Sequence, residues 1–279
     1  MRKENCIVGT CALCDAQNVK LTIEHIFPGV KRRHTKPFRV KLKDPIFIPT
    51  TGKPQPRNFQ ELRRDDLVIT HEQGGPRKYS LCEKCNNTTG SWYGNAYIEW
   101  KKQWEQIANA NLIHNVQSIE GEITFNPLRL LKQIVSCFIS VDYSNHKGDL
   151  SKEDNLRNLQ PKLFDFVLDR GMRCGFNDLR VFVHLLRKNT RQGFYTGRIT
   201  TFDTIQNKVI YPYTISLIDD HVQYSLIFDT NTQYEPKYNS RQILDISKYS
   251  VYQDQEITKK LRIQEIDGHL KIEAVPQTT

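Results

Sequence analysis

The sequence predicts an α+β protein: a cysteine-bracketed N-terminal part over residues 1–115, then a mixed part over 116–279 in which helices precede antiparallel strands. Three observations lead there. Two Cys-x-x-Cys pairs, Cys11/Cys14 and Cys82/Cys85, frame the first part. Apolar residues recur at helical spacing from Tyr93 to Ile107 and again from Pro127 to Val141. Beyond residue 180 the pattern becomes short β-branched and aromatic runs separated by turn residues.

The 279 residues, 38% of them hydrophobic, suffice to fill a core. No run nears the ~18 uncharged apolar residues of a membrane span, and Met1-Arg2-Lys3-Glu4-Asn5 leads into no apolar signal segment. A soluble cytoplasmic protein without a membrane partner is expected. In a reducing compartment, two Cys-x-x-Cys pairs argue for metal rather than disulfides. The x-x spacing lets both sulfurs of a pair grip one tetrahedral Zn²⁺ at ~2.3 Å. Cys11, Cys14, Cys82 and Cys85 are therefore the expected structural zinc ligands, stapling the base of the 67 residues between Cys14 and Cys82. Cys6, Cys137 and Cys174 read as packed thiols.

The net charge of +9 is unevenly placed. Residues 1–104 carry 19 Lys and Arg against 10 Asp and Glu, whereas residues 105–279 carry 21 of each. A merely solubilising charge would be spread; a concentrated one is the footprint of a polyanion-binding surface, because each cation that meets a phosphate releases condensed counterions. DNA is the expected partner, with RNA also admitted.

Taken in order, Val19, Leu21 and Ile23 alternate with Lys20, Thr22 and Glu24, which predicts a half-buried strand. Pro28-Gly29 ends it and leaves His25 at its end. Residues 29–80 form a long basic insertion, in which Lys31, Arg32, Arg33, Lys36, Arg39, Lys41 and Lys43 are expected to touch the phosphate backbone. Its prolines rule out a long helix, with a short strand expected at Ile46–Ile48. A second strand, Arg77–Leu81, delivers the chain to Cys82. Tyr93, Tyr97, Trp100, Trp104 and Ile107 then form one helical stripe, expected to be core rather than a base-stacking surface.

Further helices are expected at Pro127–Val141 and Leu159–Leu168. Strands follow at Val181–Leu186, Phe194–Thr200, Lys208–Ile218, Val222–Phe228 and Leu261–Ala274. Asp219-Asp220-His221 and Asp267-Gly268 read as hairpin turns. Of the remaining histidines, His34 and His71 are expected to be ordinary surface residues. Residues 116–279 carry no catalytic motif and are expected to set target, partner or oligomeric state.

These elements resemble the HNH endonucleases with a ββα-metal core, in the zinc-stapled subgroup. The likeness lies in Cys11/Cys14, then Glu24-His25 with Pro28, then Cys82/Cys85 followed by Asn86, with Cys85-Asn86-Asn87-Thr88-Thr89-Gly90-Ser91 similar to the family's last element. It covers roughly residues 6–100. The resemblance implies that His25 is the general base that takes a proton from water attacking a phosphodiester. It implies that Glu24 and Asn86, with Asn87 in reserve, hold one Mg²⁺ or Mn²⁺ through oxygen ligands. Arg77 and Lys78 stand where the family has a middle asparagine, for which Asn58 or a backbone carbonyl substitutes. The expected activity is metal-dependent hydrolysis of DNA. The alternative is a catalytically inactive zinc-stapled nucleic-acid-binding module, which keeps the scaffold and does not need His25.

Overall fold

A computed structural model describes residues 7–29, 38–42, 67–71, 77–114, 118–145, 156–173, 179–185, 193–198, 201–203, 208–210, 213–219, 222–228, 244–246, 254–266 and 269–274. The chain opens with β1 (Ile7–Gly9) and β2 (Val19–His25), passes through β3 (Phe38–Leu42) and β4 (Leu67–His71), and returns as β5 (Arg77–Cys82). β1, β2 and β5 pair antiparallel in that order, while β3 and β4 pair with each other inside the insertion. The hairpin was not foreseen. The strand expected at Ile46–Ile48 lies outside the described residues.

β2 buries Leu21 and exposes Lys20 as its alternation predicts, but inverts the pattern at Ile23 and Glu24. Glu24 is 4% exposed, whereas Ile23 is 39% exposed and His25 is also exposed. A bulge in β5 accompanies the change. Thr22 stands opposite Leu81 and the next residue, Ile23, opposite Tyr79, so Ser80 is the extra residue. Ser80 and Leu81 are consequently both buried where a regular strand would alternate. The bulge thereby brings a hydroxyl to meet the carboxyl of Glu24 indoors.

α1 (Glu83–His114) follows β5 with no intervening loop. Tyr93, Tyr97, Trp100 and Trp104 on it are buried, as the stripe predicts, and Ile107 packs partly buried against the same core. The turn after β2 docks on this helix, with the Phe27 ring stacked on Tyr97 at 6.2 Å. Gly29 has φ +73°, and a Cβ there would lie 2.7 Å from Cγ1 of Ile98. Both facts demand glycine.

β6 (Ser118–Phe125) and α2 (Pro127–Asn145) come next. Asn126 caps α2, its Oδ1 accepting the Arg129 N–H at 3.0 Å, with Pro127 at the first helical position. The helix expected at 159–168 is two: α3 (Leu156–Leu159) and α4 (Lys162–Leu168), separated by Gln160-Pro161. Lys132, buried on α2, donates Nζ to the backbone carbonyls of Asp169 and Arg170 just past α4. The cation adds to the Met172 N–H that the Asp169 carbonyl already accepts at 3.2 Å and is favoured at the negative end of the helix.

Among the described residues nine further strands follow: β7 (Leu179–Leu185), β8 (Gly193–Arg198), β9 (Thr201–Asp203), β10 (Lys208–Ile210), β11 (Tyr213–Asp219), β12 (Val222–Phe228), β13 (Leu244–Asp245), β14 (Ile257–Ile266) and β15 (His269–Ala274). Among the described residues they form a five-stranded sheet, β13-β7-β12-β11-β8, the pair β9-β10, and a sheet β15-β14-β6. Both expected hairpins are present, closing at Asp219 opposite Val222 and at Ile266 opposite His269. The strand expected over 208–218 divides into β10 and β11.

The fold is thus mixed α+β with small antiparallel sheets. The buried side chains of residues 1–115 and 116–279 join in one core, from Leu13 and Phe27 through Trp100 and Leu131 to Tyr224 and Leu261. Polar bonds cross it too: Trp100 Nε1 donates to the Tyr224 hydroxyl at 3.1 Å, and the Tyr93 hydroxyl donates to the Val167 carbonyl at 2.9 Å. Among the described residues no helix is long and apolar enough to cross a membrane.

Candidate metal centre and active site

Cys11 and Cys14 lie in the turn between β1 and β2, Cys82 ends β5, and Cys85 sits in the first turn of α1. The first turn closes on itself: Cys11 N–H donates to the Ala16 carbonyl at 2.9 Å and Asp15 N–H to the Cys11 carbonyl at 3.0 Å. Asp15 and Asn18 take φ +62° and +55°, a conformation their short polar side chains tolerate. The bulge residue Ser80 receives the Ala12 N–H on its carbonyl at 2.7 Å, tying the turn to β5. From α3, Arg157 Nη2 donates to the carbonyls of Ala12 at 2.8 Å and Leu13 at 3.0 Å, its guanidinium 4.0 Å from the Phe164 ring centroid.

This scaffold gathers the four sulfurs within 4.8 Å of one another, with Cys14 and Cys82 Sγ 3.9 Å apart. Tetrahedral Zn–S bonds of ~2.3 Å place sulfurs about 3.8 Å apart. The donor set fits a structural metal such as zinc. Its electrostatics agree: the Cys11 thiol is pulled down to about 4 by a hydrogen bond from Cys85 and by backbone N–H donors at Cys14, Cys82 and Leu13. The same bond to Cys11, together with burial, pushes the Cys85 thiol up. Crowded sulfurs share protons that a divalent cation replaces. Cys137, in contrast, is buried apart from the cluster and donates its S–H to the Ile26 carbonyl at 2.7 Å. Cys6 and Cys174 lie outside the described residues.

Beside the cluster, β2 carries Glu24 and His25. Oε2 of Glu24 accepts the Ser80 hydroxyl at 3.0 Å and the Ser140 hydroxyl, from α2, at 2.5 Å. Burial pushes this carboxyl up to about 7, against the downward pull of both hydroxyls. His25, the next residue and the last of β2, is exposed, because successive strand side chains leave opposite faces. Asn86, half-buried in the first turn of α1, donates Nδ2 to Thr22 Oγ1 at 3.0 Å and to the Ile23 carbonyl at 3.3 Å. It pins the helix start to β2. Asn87 is exposed.

Two antiparallel strands and a helix therefore meet at the cysteine cluster, with Asn86 bonded to the strand that carries His25. Arg39 and Lys41 lie on β3. Lys31, Arg32, Arg33, Lys36, Lys43, His34 and Asn58 lie outside the described residues. Sequence reasoning missed Ser80, Ser140 and Arg157. Ser136 and Ser140 stand one helical turn apart on the apolar side of α2, a buried polar pair that asks for partners. Arg157 leaves no comparable signal. Comparison with family models, curated proteins and solved structures finds no match for this chain.

Proposed function

We propose that the protein is a metal-dependent endonuclease of the HNH type that hydrolyses phosphodiester bonds in DNA, with His25 activating the attacking water. One observation carries the reading: an exposed histidine ends a strand that pairs antiparallel with a second strand and is bonded through Asn86 to the helix that follows. The four-cysteine cluster sits at the junction of all three. This order of strand, strand and helix supports the reading drawn from the motif resemblance. The basic excess of residues 1–104 supplies the attraction for a polyanion.

In this reading a neutral imidazole, available in quantity near neutral pH because histidine ordinarily titrates at ~6.5, accepts the proton from water. Asn86 would hold a cation through Oδ1, since its Nδ2 is bonded to β2. A Mg²⁺ or Mn²⁺ ion would supply Lewis-acid stabilisation of the phosphate and of the leaving 3′ oxygen. Glu24 is buried and its Oε2 already accepts the hydroxyls of Ser80 and Ser140, so it would join the ion only through Oε1 or by exchanging those hydroxyls.

That engagement of Glu24 favours a second reading, a zinc-stapled module that binds nucleic acid without cutting it. Incubating the purified chain with supercoiled plasmid separates the two. Cleavage that requires Mg²⁺ or Mn²⁺ and is lost in Asn86→Ala supports the nuclease. Salt-dependent binding with no cleavage in either ion supports the module.

A further inference from the structure

Among the described residues the exposed large apolar side chains are Ile7, Val8, Ile23 and Tyr79, and all four lie on the β1-β2-β5 sheet. Two of them share a face: Ile23 and Tyr79 are directly paired, whereas Ile7 pairs with the buried Leu21, which separates it from Ile23. His25, two residues beyond Ile23, lies on that face as well, about 7 Å along the strand. A short apolar strip, Ile23 with the aromatic ring of Tyr79, thus lies beside the exposed imidazole.

We infer that this strip is a stacking platform for unpaired nucleobases, with Tyr79 against a base face and Ile23 beside it, so that the substrate is a single-stranded or splayed nucleic acid. The inference rests on reading His25 as the general base. Its occupant follows from the strip together with the charge of the sequence that carries it. A protein partner would match the apolar strip but not the basic excess carried by residues 1–104. An unpaired strand matches both, offering a π-face to tyrosine and phosphates to the cations. Bases inside a duplex are already stacked and cannot reach an exposed ring without leaving the helix. The position also suits the chemistry, since a base held on Tyr79 brings its own phosphate toward His25 rather than a distant one.

The test compares one labelled oligonucleotide as single strand and as blunt duplex, by fluorescence anisotropy at matched salt. Wild type is expected to favour the single strand by at least about tenfold. Tyr79→Ala should narrow that ratio by about tenfold, and Tyr79→Phe should preserve it, in line with the usual worth of one stacked base. Ile23→Ser provides a second variant that should also narrow it. Circular dichroism establishes that the variants are folded. Equal affinity for both forms, or a ratio unmoved by Tyr79→Ala in a protein that still cuts plasmid, overturns the platform and leaves the nuclease reading standing. Absence of binding to either form overturns both. A dimer seen by light scattering without nucleic acid, and dissolved by Ile23→Ser, makes the strip a self-interface and overturns the platform.

Discussion

The hydroxyl of Ser140 donates to Oε2 of Glu24 at 2.5 Å across 116 residues of chain. The residue next to the exposed histidine is therefore fixed by a helix from the second part of the molecule. Ser80 closes the same oxygen from the bulge in β5, and its carbonyl receives Ala12 from the cysteine turn. The metal centre, β2 and α2 are linked through one buried carboxyl.

Burial of Glu24 makes stability depend on pH. Its carboxyl titrates near 7 in the folded chain, against 4.5 ordinarily, so between those values the folded state holds a proton that the unfolded state has released. The stabilisation is complete below about pH 4.5, declines as pH rises, and is gone above about 7, a swing on the order of 3 kcal/mol. Glu24→Gln keeps an acceptor for both hydroxyls and removes the charge. In urea unfolding, the variant should match wild type at about pH 4.5 and exceed it at about pH 8. A constant difference between them across this range would contradict the assignment.

Arg157 should matter to metal retention although it is no ligand. Arg157→Ala removes two bonds to the carbonyls of the cysteine turn and the contact with Phe164. A loss of about 1–3 kcal/mol in stability is expected, together with faster transfer of zinc to a chromogenic chelator. Cys14→Ser should lower bound zinc below stoichiometry, whereas Cys137→Ser, outside the cluster, should retain about one zinc per chain.

Two glycines should respond in opposite directions to alanine. Gly29→Ala meets both a positive φ and the Ile98 side chain, and is expected to cost about 1–3 kcal/mol. Gly90 lies within α1, where an added Cβ meets nothing within 4 Å. Gly90→Ala should therefore stabilise the helix by about 0.5–1 kcal/mol. Thermal unfolding of the pair measures both signs.

Much of this was legible in the sequence because the relevant signals are local. The four cysteines announce themselves by spacing, the aromatic stripe of α1 by its period, and the β11–β12 and β14–β15 hairpins by their turns. What escaped depends on partners far away in the chain. The burial of Glu24 needs Ser140 on α2 and a bulge at Ser80 that no residue type in β5 signals. β6 finds its partner β14 only across three helices, α2 to α4, and the five-stranded sheet. Arg157 reads as one more surface cation until α3 is seen to carry it onto the cysteine turn.

Cleavage by His25→Ala tests the central claim most directly. Wild type and variant are compared on supercoiled plasmid with Mg²⁺ or Mn²⁺, alongside zinc content and DNA affinity. The account predicts that zinc stays at about one per chain, binding is kept, and cleavage falls by at least about a hundredfold. Cleavage at the wild-type rate in that variant would contradict it.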